Sequence, residues 1–447
     1  MPSPLASPAT TEDPSFAELL AQRPQLTAHA QDGLCLEDVP LARIAAEVGT
    51  PTWVYSAGTL RRRFRALRDA LAAAGLNSTI HYAMKANDNL AVAGLLAKEG
   101  AGADVVSEGE LRAALAAGIP GNRIVFSGVG KTAAEIRLAL EHDIFQLNAE
   151  SAEEVETIAA LAEGMGRRAP VAIRVNPDVD ARTHAKITTG KAENKFGVAI
   201  ADAAALYARM AALPGIRPIG IAVHIGSQIT EGLSAYRVAY TKVADLVREL
   251  RARGLPVERV DGGGGLGIPY RDEIAPLPEA LAGALAAGLG PLGLPVMIEP
   301  GRWIAGPAGV LLSRVVLHKR GATRRFAVLD AGMNDLMRPA LYDAWHGLVP
   351  VAPHQFHAPL SPAEVVGPVC ETGDTFARGR HLPELAPGDV MAFLDAGAYG
   401  AAMSSTYNAR PLAAEVLVDG HRWAVVRSRQ PVEDLLARQS VPDWLLG

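Results

Sequence analysis

The sequence predicts an α/β protein: a (β/α)8 TIM-like barrel followed by a C-terminal, mainly antiparallel β-barrel or sandwich domain. Three observations predict it. Between Ile80 and Pro300, short apolar strands alternate eight times with Ala- and Leu-rich helical stretches. Each strand hands over to a polar or Gly-rich turn, and eight such units point to a closed barrel rather than an open sheet. Beyond Gly306 the rhythm changes to short β-type runs separated by turns, with no regularly alternating helix.

Taken in order, residues 1–30 are rich in Pro, Ser, Ala and Thr and are expected to form a disordered or loosely docked extension. They lack a basic segment followed by an apolar one, so no secretory signal is expected. In residues 31–56, Leu41 to Val48 has helical apolar spacing and Trp53-Val54-Tyr55 reads as a strand; this segment is expected to join the β domain. Thr59 to Ala73 predicts a helix ended by Gly75. The barrel is expected over 57–308. Its strands end at Tyr82–Lys85, Ala103–Ser107, Ile124–Ser127, Ile144–Asn148, Ala172–Asn176, Ala222–Gly226, Arg259–Gly263 and Val296–Pro300. The β domain is expected over 309–447, with strands at Val310–Leu317, Arg325–Leu329, Val390–Leu394, Glu415–Val418 and Arg422–Val426.

The 447 residues, 49% hydrophobic and 20% charged, suffice for two domains with a large buried core. A net charge of −5 argues against a general nucleic-acid binder. Only Cys35 and Cys370 are present, so a reducing, cytoplasmic setting is expected and no disulfide framework is implied. No cysteine–histidine cluster has zinc spacing, and no charge-free apolar run reaches spanning length, so neither a metal nor a membrane is expected.

The polar residues at the strand ends carry the functional argument. Lys85, Asp104, Ser107, Ser127, Asn148, Arg174, His224, Glu299 and Arg302 all fall at or near C-terminal strand ends, which in a barrel converge on one face. Lys85 closes the stretch His81-Tyr82-Ala83-Met84-Lys85-Ala86-Asn87. Burial disfavours an ammonium, and a lysine pushed toward neutrality is the nucleophilic amine that a Schiff base with pyridoxal phosphate requires. Taken alone, Lys85 is equally well read as a strand-mouth ammonium paired with an acid.

After the seventh strand comes Asp261-Gly262-Gly263-Gly264-Gly265-Leu266-Gly267, where backbone N–H groups can approach an anion without side chains in the way. Barrels commonly bind phosphate in the loops after strands seven and eight. The eighth strand ends Glu299-Pro300-Gly301-Arg302. A carboxylate at Glu299 suits a protonated pyridine nitrogen; its alternative is an acid paired with Arg174. His224 suits stacking on a ring, or is a core histidine satisfied by a carbonyl.

Six motifs together extend this reading. Tyr82-Ala-Met-Lys85-Ala-Asn87, His224-Ile-Gly-Ser-Gln228, the Gly262–Gly267 run, Glu299-Pro-Gly-Arg302, Gly367-Pro-Val-Cys370-Glu371 and Asp395-Ala-Gly-Ala-Tyr399-Gly400 resemble the fold-type III pyridoxal-phosphate decarboxylases. The resemblance runs in order from about Gly33 to the C-terminus. It implies that Lys85 holds pyridoxal 5'-phosphate covalently, with Asp104 and Arg174 near the reactive side of the ring and His224 stacked on it. Ser227, Gly262, Gly263, Gly264, Gly265, the turn through Gly301 and Arg302, and Tyr399 would hold the phosphate end, and Glu299 the ring nitrogen. It further implies a homodimer with shared sites, in which Cys370 and Glu371 reach the site of the partner subunit. Cys370 would return a proton after CO2 loss, with Lys85 the other candidate.

Substrate choice is expected to rest on Arg302, Arg338, Tyr342, Glu371 and Tyr399. Two guanidiniums suit a distal carboxylate and Glu371 a distal ammonium, which together describe a diamino-dicarboxylic acid. A decarboxylase of another basic amino acid or polyamine precursor is the alternative, although an arginine pair repels a cationic tail. A non-catalytic pyridoxal-phosphate carrier or regulator is the reading from another class, and a racemase of similar barrel fits less well. The polar stretch Arg182 to Gly197 also matches the family and has the length of a lid.

Overall fold

The computed structural model describes residues 13–180, 195–231 and 233–446. Eight parallel strands close on themselves: Ser78–Ala83, Gly102–Val105, Ile124–Phe126, Gln146–Ala149, Ala169–Asn176, Ile216–Val223, Arg259–Asp261 and Val296–Ile298. The eighth pairs with the first, Val296 against Ser78, so the barrel sheet has no free edge where they meet. The fifth and sixth strands are buried almost throughout, as expected where helices cover one face and the barrel interior fills the other. The helix Ala57–Ala73 presents Leu60, Phe64, Leu67 and Leu71 to that core at helical spacing. Ser107, a strand-end candidate, caps the helix Glu108–Ala116 by accepting the Glu110 N–H; its role there is structural.

The β domain draws a strand from before the barrel. Thr52–Ser56 lies between Gly309–Arg320, antiparallel to it, and Ala414–Asp419, parallel to it. Trp53 and Tyr55 enter the core shared with the barrel, while Val54 faces a second core with Leu34, Leu36 and Leu41. Arg325–Leu329 and Ser361–Val366 are also parallel, so the sheet is mixed, and its other pairings are antiparallel, in keeping with the mainly antiparallel domain that the sequence predicts. Strand direction here follows from strands brought together across long separations, which no local pattern encodes.

The N-terminal segment also departs from expectation. Residues 1–12 lie outside the described residues, but 16–29 carry the helix Phe16–Ala21 and the strand Leu26–His29. Ser15 and Glu18 form a capping box, and Arg23, 2% exposed, donates through Nε to Asp395 at 2.7 Å. Residues 13–30 are therefore docked, because a buried ion pair anchors them.

Asp335 offers a test of the β domain's electrostatics. It is 1% exposed, and its Oδ2 accepts the Gly332 N–H at 2.9 Å. Burial pushes its carboxyl up to about 6 from 3.8. Between those values the folded protein keeps a proton that the unfolded chain loses, and above about 6 the fold carries the cost of ionising a buried acid. Asp335→Asn is therefore expected to stabilise the protein at pH 8 by about 1–3 kcal/mol. The gain should shrink as pH falls towards 4, and denaturant unfolding at several pH values checks both the sign and the trend.

Candidate active site

The strand ends meet at a cavity of about 550 Å3, lined among others by Lys85, Arg174, His224, Ser227, Glu299, Arg302, Tyr342 and Tyr399. Lys85 sits in the single turn Met84–Ala86 that follows the first strand, which carries its amine over the barrel mouth. Its Nζ lies 3.2 Å from Asp104 Oδ2, on a carboxylate with no exposure. Burial favours the neutral amine, but the adjacent Asp104 charge outweighs it and raises the lysine above its ordinary value. The expectation that desolvation neutralises Lys85 is thus overturned. Its side chain is still 38% exposed, and an adjacent anion favours the ammonium.

Glu299 and Asp261 form a buried acid pair beneath the cavity. Asp261 accepts the Gly263 N–H at 2.8 Å and the Asn148 amide at 3.3 Å. Burial, with Asp104 and Asp261 adding their charge, pushes the Glu299 carboxyl well up and favours its protonated form. Glu299 Oε1 is buried without a hydrogen-bond partner. A buried orphan oxygen is costly unless a ligand completes it, and a protonated ring nitrogen would do so.

Arg174 does not pair with Glu299. It bonds Glu150 Oε1 at 3.1 Å and lies 4.9 Å from the Phe196 ring. Glu150 also accepts the Gly128 and Gly197 N–H groups. Sequence reasoning missed Glu150, although it stands directly after the fourth strand, two residues beyond Asn148, where the weighed strand end stopped.

The His224 imidazole, lowered by burial and then by the Arg174 and Lys85 charges, is neutral, and its Nδ1 accepts the Gly264 N–H at 3.1 Å. The glycine run behaves differently from a simple anion cradle. Gly262 donates to Met297 O, Gly263 to Asp261 and Gly264 to His224, so these three amides are already engaged. A Cβ on Gly264 would lie 2.2 Å from the Glu299 carbonyl oxygen, so the glycine is required for strand seven to pass strand eight. Gly265 lies at φ +103°, and Gly301 precedes the short helix Arg302–Ala305. Arg302 donates to Ser227 at 3.2 Å and packs 4.6 Å from the Tyr399 ring.

The site's residue types fit pyridoxal phosphate: an amine on the cavity wall, an unpartnered acid beneath it and polar groups opposite. The comparisons agree. Residues 57–306 match the family model described as pyridoxal-dependent decarboxylase, pyridoxal binding domain. Over 415 residues the chain is 49% identical to diaminopimelate decarboxylase of Zymomonas mobilis, covering 92% of this chain and 98% of that one. It is 48% identical to the Pseudomonas aeruginosa enzyme, covering 91% and 97%. The chain belongs to the diaminopimelate decarboxylase family. Its cofactor is pyridoxal 5'-phosphate. Among solved members of the diaminopimelate decarboxylase family, the Helicobacter pylori enzyme complexed with L-lysine superposes with TM-score 0.85 at 40% identity, covering 89% of this chain and 98% of that one. The M. jannaschii enzyme, also with L-lysine, gives 0.89 at 34% identity, covering 95% and 99%.

Other expected residues of a diaminopimelate decarboxylase site stand apart from the cavity. Arg338 opens the helix Arg338–Tyr342 and is 5% exposed behind Tyr342, which does line the cavity. Cys370 is exposed, with its N–H on Asn408 at 3.2 Å. Glu371 bonds the Tyr407 hydroxyl. Neither lines the cavity of its own chain. Of the expected lid, residues 182–194 lie outside the described residues, and Lys195 and Phe196 line the cavity.

Proposed function

We propose that the protein decarboxylates meso-2,6-diaminopimelate to L-lysine and CO2, the last step of bacterial lysine biosynthesis. The observation that carries the substrate is the buried pair Arg302 and Arg338 beside the lysine-lined cavity. Two guanidiniums with neutral hydrogen-bond partners favour a carboxylate and disfavour the cationic tail of ornithine, lysine or arginine.

Lys85 would hold the aldehyde end of the cofactor, Glu299 its ring nitrogen and His224 its ring face, with Asp104 and Arg174 near the reactive side. Ser227, Gly265, Gly301, Arg302 and Tyr399 would hold the phosphate. When bound, pyridoxal phosphate supplies an electron sink for the pair left behind by CO2. The protein's own residues do the rest. Lys85 must shed the proton that Asp104 favours before its nitrogen can bond carbon. Glu299 keeps a proton available at the ring nitrogen, and its burial keeps water from competing. Arg302 and Arg338 anchor the distal carboxylate, Glu371 the distal ammonium, and Tyr342 and Tyr399 flank the chain between. Cys370 returns a proton to the carbon that lost CO2, with Lys85 the other donor within reach of the chemistry.

The exposure of Cys370 and Glu371, away from their own cavity, supports a homodimer in which each subunit completes its partner's site. Mixing inactive Lys85→Ala and Cys370→Ala subunits is then expected to restore activity, because one site of each mixed dimer regains both residues. No recovery on mixing, with dimers demonstrated, would sink the shared site. We place the barrel at 57–308 and the β domain at 309–447 with 31–56. No described helix is long and apolar enough to cross a membrane. With two unpaired cysteines, this supports a cytoplasmic enzyme. The deciding assay is CO2 release from meso-diaminopimelate, with ornithine, lysine and arginine in parallel. Release from a cationic substrate alone overturns the arginine reading, and release from none, with cofactor bound, favours a carrier or regulator.

A further inference from the structure

The two arginines are held by a shared support that the proposed reaction does not itself require. The Tyr270 hydroxyl accepts from Arg302 Nη1 at 2.7 Å, and the face of the same ring lies 4.4 Å from the Arg338 guanidinium. One aromatic side chain thus touches both cations, by its polar tip and by its π face. His346 fixes the other side of Arg338. Its Nδ1 lies 2.8 Å from the Leu394 carbonyl, which can only accept, so Nδ1 carries the hydrogen. Nε2 is therefore an acceptor, and Arg338 Nη1 donates to it at 2.6 Å. The His346 ring packs edge-on against Tyr270 at 5.3 Å and 78°.

This support is itself anchored. Tyr270 and His346 are 4% and 3% exposed. The Tyr270 carbonyl accepts from Arg23 at 3.2 Å, and the His346 carbonyl accepts from Arg380 at 3.0 Å. Burial and the Arg338 charge hold the imidazole neutral, well below its ordinary value. Arg302 Nε and Arg338 Nε are both buried without partners among the described residues, so each guanidinium keeps a donor that none of those residues satisfies. Like charges brought together in a buried site, oriented by neutral groups and left with spare donors, describe an anion clamp assembled before its ligand arrives.

We propose that Tyr270 and His346 are positioning residues that preorganise Arg302 and Arg338 as a clamp for the distal carboxylate of the substrate. This deepens the function proposed above and rests on its assignment of the two arginines. Neither residue touches the reacting carbon; both act through the guanidiniums, so their loss should appear in binding of the carboxylate-bearing end.

The test compares ligands that differ at that end. Binding of meso-diaminopimelate, cadaverine and glutarate to the holoenzyme is measured by calorimetry and by change in cofactor absorbance. The variants are Tyr270→Phe, His346→Leu and His346→Gln. Tyr270→Phe and His346→Leu are expected to raise KM for meso-diaminopimelate about tenfold, with kcat within about threefold, and to leave the affinity for cadaverine, which has no carboxylate, within about twofold. His346→Gln, whose amide oxygen replaces Nε2 as acceptor, should recover most of the loss. Equal weakening of meso-diaminopimelate and cadaverine, or unchanged KM in both Tyr270→Phe and His346→Leu, would overturn the proposal. Glutarate separates this from the substrate reading. If the wild type ignores meso-diaminopimelate, the function falls. The clamp still stands if glutarate binds and both substitutions weaken it tenfold, and it falls if they do not.

Discussion

Lys85→Ala is expected to lower CO2 release by about 10⁴-fold or more while leaving the fold intact. The side chain stands on the cavity wall and is 38% exposed, so its truncation opens no core cavity. What it removes is the amine that forms the covalent link. The groups expected to hold the rest of the cofactor, Ser227, Arg302, Glu299 and His224, remain in place. The variant should therefore still bind pyridoxal phosphate, release it on dialysis and absorb as the free aldehyde. Spectra before and after borohydride provide the check, because reduction of an imine leaves the cofactor covalently attached to the protein whereas reduction of the free aldehyde gives an alcohol that dialysis removes. Substantial residual turnover, or covalent cofactor trapped elsewhere, would remove Lys85 from its role. Asp104 would survive that outcome as a buried acid without its cation, and unfolding measurements would show it.

Arg338→Leu is expected to raise KM for meso-diaminopimelate by about 10–100-fold, the range for losing charge-assisted hydrogen bonds to a carboxylate. Affinity for cadaverine, which lacks the distal carboxylate that L-lysine keeps, should change little or improve, because a buried cation facing an ammonium is removed. Burial holds the Arg338 guanidinium below its ordinary value, with Arg302 adding repulsion, so the substitution also relieves a cost in the folded state. The variant should be no less stable than the parent, since a leucine can pack against Tyr270 where the guanidinium lay 4.4 Å from the ring. Arg338→Lys keeps the charge but loses the planar fork and should recover only part of the affinity. Steady-state kinetics with both ligands decide it. An equal effect on kcat at unchanged KM would place Arg338 in the chemistry instead of in binding.

Much of the architecture was legible before any coordinates. The eight strand ends, the helix Ala57–Ala73 and the turn of composition beyond Gly306 follow from hydrophobic period and Gly or polar punctuation, which are local properties. Lys85, Glu299 and His224 were found the same way, because a residue's place at the end of a barrel strand fixes the face on which it emerges. The strands Leu348–Pro350, Ser361–Val366 and Thr375–Leu382 were not found, being short runs interrupted by Pro, Gly or charge.

What only the tertiary structure decided is who faces whom. Arg174 meets Glu150 and leaves Glu299 to share its burial with Asp261. Lys85 is held charged by Asp104 across neighbouring strands. Arg23 reaches Asp395 over 372 residues and docks a segment whose composition suggests disorder. Tyr270, from the loop after the seventh strand, and His346, from the β domain, converge on an arginine pair that neither adjoins in sequence. The physical reason is one of range. Period, caps and turns act over a few residues and are written in the order of the chain. Ion pairs, shared protons and guanidinium supports depend on distances set only when the barrel closes and the two cores pack.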